Sequence, residues 1–261
     1  MMPITAMLSP SARREPALEA RLRPGDVDLW RAELDGQEPE VVSYLQTLLS
    51  PDEAGRARDF YFERDRRRYT VARGILRLIL GRYLGCPAEE VAFCYGPNGK
   101  PALAGDLPTP LYFNLTHSEG LALYAVTRVG EVGLDLERIR ELPEWEQIAA
   151  GCFDPAEFAR LRRCAPAGRP AEFLRLWTRQ EAVLKALGVG LGGPRPAAIS
   201  AAGFQVYPLH PDPGYVAALA VGPGARWTTA RDWAARPAGP PRRSRRTPLR
   251  STSADNPHRF S

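Results

Sequence analysis

Gly133-Leu134-Asp135-Leu136-Glu137 and Trp177-Thr178-Arg179-Gln180-Glu181-Ala182-Val183-Leu184-Lys185 are the two stretches on which the reading of this chain turns. The first alternates apolar and acidic residues with the period of a strand, so Asp135 and Glu137 share one face and Leu134 and Leu136 the other. The second carries Trp177, Glu181 and Lys185 at every fourth position, which stacks a ring, a carboxylate and an ammonium on one helix face. Each has an ordinary reading alone: an exposed strand edge for the acids, a surface ion pair for Glu181 and Lys185. Leu176, Val183 and Leu184 make the helix mostly apolar, however, and set its charged pair beside a partly buried groove. Together the two segments can aim three carboxylates and one ammonium at a single point, the ingredients of a metal and phosphate site.

Working outward, the period alternates between strand and helix. Val27 to Ala32 reads as a strand and Glu40 to Leu49 as a helix. Ser50-Pro51-Asp52-Glu53 has the form of a capping box with Pro at the first helical position, so a second helix starts there. From Asp65 to Leu84, Tyr69, Ala72, Leu76, Ile79, Leu80 and Tyr83 form one apolar stripe, closed by Gly85, with Arg66, Arg67 and Arg68 in the first turn. Strands follow at Val91 to Tyr95, Leu111 to Leu115, Leu121 to Thr127 and Val132 to Glu137. Asp154-Pro155-Ala156-Glu157 opens a helix to about Cys164, Ala171 to Leu187 forms a longer one closed by Gly188, and strands near Phe204 to Tyr207 and Tyr215 to Val221 finish the ordered chain. Helices interleaved with antiparallel strands, without strict βαβ alternation, predict an α+β fold.

Composition narrows the class. The 261 residues carry a formal charge of +5, but residues 236–261 hold seven arginines and one aspartate, +6, which leaves −1 for the rest. The body is therefore not basic and lacks an aromatic-basic stripe, which disfavours nucleic-acid binding through Arg64 to Arg68 and the tail. That Arg/Pro-rich tail cannot bury enough apolar surface to offset its ordering entropy and is expected to be disordered. Cys86, Cys94, Cys152 and Cys164 have no CxxC spacing and read as buried, reduced thiols. With neither a signal peptide nor a run of about 20 apolar residues, the expectation is a cytoplasmic protein with no membrane contact.

Two further motifs bear on chemistry. Asn98-Gly99-Lys100-Pro101 presents a lysine on a turn, and Asn114-Leu115-Thr116-His117-Ser118 sets an imidazole and two hydroxyls at a strand end. By itself the first is only a turn, and the second reads first as a structural histidine and next as a phosphate contact. In order along the chain, Gly99-Lys100-Pro101, Phe113 to Ser118, Gly133 to Glu137, Phe153-Asp154 with Glu157, and Trp177 to Lys185 with Gly188 and Gly190 resemble the Sfp-type 4'-phosphopantetheinyl transferase family. The resemblance runs from about Val27 to Leu191, more loosely to Val221, and takes in Ser50 to Leu80.

That resemblance implies two pseudo-symmetric α/β half-domains, at residues 25–128 and 129–235, with the active site in the cleft between them, after a flexible lead at 1–24 and before the 236–261 tail. It implies a monomer that uses magnesium and coenzyme A, moves the 4'-phosphopantetheine arm to a serine of an acyl or peptidyl carrier protein, and releases 3',5'-ADP. By motif match Asp135, Glu137 and Glu181 hold the metal, Glu181 is the ligand, the base for the serine proton, or both, and Lys185 meets the leaving phosphate. Arg68, Lys100, Pro101, Thr116 and His117 are the coenzyme contacts, with Arg56 and Arg73 as further candidates. Thr116 and Gln180 stand where the family more often has Ser and Lys, and the short stretch from Leu191 to Tyr215 predicts a smaller second sheet. A magnesium-dependent phosphohydrolase would use the same carboxylates but leaves the Lys100 and His117 motifs without a task.

Overall fold

The strand expected at Val27 is β1 (Asp26–Glu33), and its alternating side chains feed two cores. In the computed structural model, which describes residues 22–105, 107, 110–189 and 203–233 without the side chains of 228 and 229, Trp30 and Ala32 face one core and Val27 and Leu29 the other. β1 sits inside a four-stranded sheet of order β4 (Tyr112–Ser118), β5 (Leu121–Thr127), β1, β9 (Arg226–Asp232). The first three strands are antiparallel, and β9 runs parallel to β1. A second sheet has the order β6 (Val132–Arg138), β8 (Tyr215–Val221), β7 (Gln205–Leu209), all antiparallel.

Helix α3 (Glu63–Leu84) covers the outer face of the first sheet, laying Val71, Ile75, Leu76, Ile79 and Leu80 on Trp30, Phe113, Ala122, Tyr124 and Val126. Complete burial of each such aliphatic side chain contributes about 1.5–3 kcal/mol. The inner face, with Val27, Leu29, Leu121, Leu123 and Ala125, meets Val132, Leu134, Leu136, Leu219 and Val221 of the second sheet. Helix α6 (Arg169–Leu187) closes the far side, where Ala182, Val183 and Ala186 pack on Ala218 and Ala220. The layers run helix, sheet, sheet, helix, a mixed α and β architecture as expected. Gly85 and Gly188 end α3 and α6 in the left-handed region, with φ of 68° and 69°, which glycine adopts without Cβ strain.

The first half adds α1 (Pro39–Thr47), α2 (Pro51–Asp59) and a hairpin of β2 (Phe93–Tyr95) and β3 (Pro101–Leu103). At the start of α2, the Ser50 N–H donates to Glu53 Oε2 at 3.0 Å, the backward reach that the sequence predicts. Glu53 does more than cap. It is fully buried and accepts Arg73 Nε on Oε1 and Arg77 Nε on Oε2, both at 2.6 Å. Both guanidinium groups lie over the Phe93 ring, at 4.6 and 5.1 Å from its centroid. Arg73, a candidate coenzyme contact by sequence, is thus a buried structural cation, and its carboxylate partner came from a different helix.

Other differences have local causes. The strand predicted to end at Leu115 continues as β4 to Ser118, and the turn falls at Glu119, with φ 52°, and Gly120. The elements α4 (Trp145–Cys152), β3 and β9 went unforeseen, the last because its polar sequence is recruited by pairing with β1 rather than by apolar alternation. The four cysteines form no disulfide with one another, but Cys94 is exposed, since β2 belongs to a two-stranded ribbon with an open face, and the rest are half-buried. Among the described residues the second sheet has three strands against four in the first, the smaller size expected. The lead up to residue 21, most of the short stretch at 190–202, and the 236–261 tail lie outside the described residues. No helix among the described residues is long and apolar enough to cross a membrane.

Glu53→Ala would leave two buried guanidinium groups without their carboxylate, so chemical denaturation is expected to show a loss of about 3–5 kcal/mol, against little change for an exposed control such as Glu89→Ala.

Candidate active site

The site begins as a seam between strands of different sheets. Among the described residues β6 pairs with β8 along one edge, and on its other side β4 runs past it at a constant offset of twenty residues. Asn114, Thr116 and Ser118 share one face of β4 by strand alternation. Asn114 Oδ1 accepts the buried Leu134 N–H at 2.7 Å, and Ser118 Oγ accepts the Arg138 N–H at 3.0 Å. A buried N–H without such a partner costs about 1–3 kcal/mol, so these side chains stand in for a missing strand.

On the opposite face of β6 lies α6, at unusually short range. A Cβ placed on Gly133 would sit 1.9 Å from the Ala182 carbonyl oxygen and 2.5 Å from the Ala186 nitrogen, and only glycine permits that backbone approach. The alternation that buries Leu134 and Leu136 between the sheets turns Asp135 and Glu137 toward α6. Lys185 Nζ donates to Asp135 Oδ1 at 2.6 Å and lies 3.4 Å from Thr116 Oγ1. Glu137 Oε2 accepts Arg140 Nη1 at 2.9 Å. Lys185 thus joins α6 to β6 at Asp135.

The electrostatics are those of crowded acids. Burial is the main cause that pushes the Asp135 carboxyl up to about 6; Lys185 opposes it, and Glu137 and Glu181 add to it by repulsion. Glu181 is raised by burial first, with Lys185 again opposing and Glu137 adding. Asp135 Oδ2 is buried with no hydrogen-bond partner. Among the described residues no three His, Cys, Asp or Glu side chains already converge as a metal shell. In kind, however, the donors fit a hard divalent cation: they are all carboxylate oxygens, one is orphaned in the interior, and their mutual repulsion is relieved by positive charge.

The remaining candidates divide. His117, on the α3 side of β4, has its pKa lowered by the protein packed around it and then by Lys185 and Arg68, which sets both cations near its solvent-accessible ring. Arg68 pairs with Asp35, at 2.9 and 2.6 Å, and lies 3.7 Å from Glu119. Beside Arg68 and Arg138 an open depression of about 530 Å³ is lined by Arg31, Glu33, Asp35, Glu119 and Asp212. Arg56 is elsewhere, 4.5 Å over the Tyr95 ring and close to the buried Arg73. Pro101 opens β3 opposite Tyr95. Lys100 spends its ammonium on Glu131 Oε2, Ala186 O and Val132 O, at 2.6, 3.2 and 3.4 Å.

Two family profiles match the chain in succession. One is described as 4'-phosphopantetheinyl transferase, N-terminal, and matches residues 37–128; the other is the 4'-phosphopantetheinyl transferase superfamily and matches residues 131–236. The 4'-phosphopantetheinyl transferase HetI of Nostoc sp. is 41% identical over 209 residues, covering 75% of this chain and 87% of that relative. The chain belongs to the 4'-phosphopantetheinyl transferase superfamily. AcpT of Salmonella typhi, also named a 4'-phosphopantetheinyl transferase, is 36% identical over 136 residues, 50% of this chain and 68% of its own length. The L-aminoadipate-semialdehyde dehydrogenase-phosphopantetheinyl transferase of Mus musculus is 28% identical over 189 residues, 68% of this chain and 60% of its own. The relatives are enzymes of the transferase type, and the carboxylate and lysine cluster lies within the segment matched by the superfamily profile.

Sequence reasoning missed Asn114, Ser118 and Gly133 as builders of the site, although the polar alternation Asn114-x-Thr116-x-Ser118 was there to be read as a strand face. Gln180, where the family more often has a cation, donates its amide to the Cys152 carbonyl at 2.8 Å and ties the end of α4 to α6. Gly133→Ala drives a methyl into helix backbone; an expected cost of about 3 kcal/mol or more in denaturation, together with loss of activity, would verify the close approach.

Proposed function

We propose that this protein transfers the 4'-phosphopantetheine arm of coenzyme A to a serine hydroxyl of an acyl or peptidyl carrier protein, with release of 3',5'-ADP. The observation that carries the reading is the Lys185 to Asp135 contact at 2.6 Å inside a group of three mutually repelling carboxyls, in a chain of this superfamily. Breaking a pyrophosphate needs positive charge against its oxygens and a base for the incoming hydroxyl, and the cluster holds both.

Asp135, Glu137 and Glu181 would hold a magnesium ion, which when bound supplies charge to the pyrophosphate oxygens. The carrier serine oxygen forms a bond to the phosphorus that bears the arm, the bond from that phosphorus to the 3',5'-ADP oxygen breaks, and the serine proton passes to Glu181 or to a water it holds. A carboxyl raised by burial, as Glu181 is, suits that task better than a fully solvated one. Lys185, one turn beyond, offsets the charge of the departing phosphate. Arg68 and His117 face the same region and serve the nucleotide phosphates, and Thr116 helps to place the Lys185 ammonium. Arg56 and Arg73 fall outside this set, since the second is spent on Glu53.

We also read the two helix-backed sheets as two related halves, divided near residue 128, with the site at their junction. The break between the two matched profiles, at 128 and 131, supports that division, and the Asn114 and Ser118 seam is where the halves meet. β9 then returns to the first sheet beside β1.

Incubation with coenzyme A, magnesium and an apo carrier protein is expected to raise the carrier mass by one arm, with chelation abolishing the gain. Asp135→Ala and Glu181→Ala should each slow transfer by about a hundredfold or more. Unchanged carrier mass across several carriers would refute the reading, and 3',5'-ADP release without a carrier would identify a hydrolase instead.

A further inference from the structure

The last carbonyls of a helix have no partner within it, and its C-terminal end carries partial negative charge. In α6 the Gly188 N–H returns to Lys185 O at 3.2 Å and the Val189 N–H to Leu184 O at 3.0 Å, which settles two of them. Ala186 O and Gly188 O are taken from outside. The tip of the β2–β3 hairpin reaches across, so that Lys100 Nζ donates to Ala186 O at 3.2 Å and Asn98 Nδ2 to Gly188 O at 2.9 Å. The tip is shaped for this. Gly99 N–H closes onto Gly96 O at 2.9 Å, and Gly99 itself has φ 78°, a left-handed position between the two residues that reach out.

The same ammonium also binds the strand under the helix. Glu131 Oε2 at 2.6 Å and Val132 O at 3.4 Å belong to the entry into β6. A lysine ammonium has three hydrogens, and here three acceptors account for all of them. It therefore joins the end of the helix that carries Lys185 to the start of the strand that carries Asp135, just beside the tight Gly133 crossing.

We infer that Lys100, with Asn98, is a positioning residue for the transferase reaction: it caps α6 and keeps Lys185 in register with Asp135, rather than binding the phosphates of coenzyme A. This inference rests on the functional reading above. Because the cap acts on the geometry of the reacting groups and not on coenzyme affinity, its removal is expected in kcat and not in KM. Misplacement of a catalytic group by a fraction of an ångström to one ångström costs about ten- to a hundredfold in rate.

Lys100→Met and Asn98→Ala separate the possibilities. Expected for Lys100→Met are a kcat lower by about tenfold, a KM for coenzyme A within about twofold of the parent, and amide exchange at Gly188 and Val189 faster by about tenfold. Asn98→Ala, which removes no charge, should move the same quantities in the same direction by less. A Lys100→Met variant whose KM for coenzyme A rises about tenfold while exchange at Gly188 and Val189 stays at the parent rate would overturn the inference and return the lysine to the phosphates. Should Lys100→Met fail to fold, Asn98→Ala carries the test, and parent-like exchange together with parent-like kcat would count against the cap. If the parent protein transfers no arm to any carrier, the functional reading fails by itself, and the exchange rates still decide whether the hairpin caps the helix.

Discussion

Everything at the site depends on how closely α6 lies on β6. At Gly133 the helix backbone occupies the volume that any other residue would need for its Cβ, and this contact sets the distance over which Lys185 reaches Asp135. One residue on each side, the strand alternation has already divided the labour: Leu134 and Leu136 bond the sheets together through the apolar core, and the acids are left facing the helix. The close approach is thus both a packing feature and the reason that an ammonium can sit 2.6 Å from a buried carboxylate.

Around that contact the polar groups form a scaffold. Asn114 and Ser118 supply β6 with acceptors along an edge where no strand among the described residues pairs, Lys100 and Asn98 supply α6 with donors at its end, and Gln180 holds α4 against it. Each of these bonds joins segments far apart in the chain. Burial first, and then repulsion between neighbouring carboxylates, raises Asp135 and Glu181, so the site is built at some cost in stability, as expected where charge is to be neutralised by a ligand.

Arginine shows how little residue type says about role. Arg73 and Arg68 lie on one helix, five positions apart, and both read in sequence as cations for phosphate. Arg73 is inside the protein, held by Glu53 with Arg77 and covered by Phe93, while Arg68 remains at the mouth of the open depression near His117. The difference lies in rotation about the α3 axis and in which neighbour comes from α2. The rotation follows from the helical spacing, but the neighbour from α2 is not encoded near either arginine.

The amino-acid sequence alone determined the local period of most elements, the caps at Ser50, Gly85 and Gly188, the facing of Asp135 and Glu137 away from Leu134 and Leu136, and the stacking of Glu181 and Lys185 on one helix face. These follow from geometry within a few residues of chain, and the family resemblance followed from their order. Tertiary structure decided the rest: that β9 returns to β1, that Arg73 is buried, that Asn114 and Ser118 close the edge of β6, and that Lys100 is spent on the end of α6. Those outcomes depend on which groups remain without a partner after the sheets and helices have packed, and an unpaired carbonyl, N–H or carboxylate exists only once the elements that leave it so are in place.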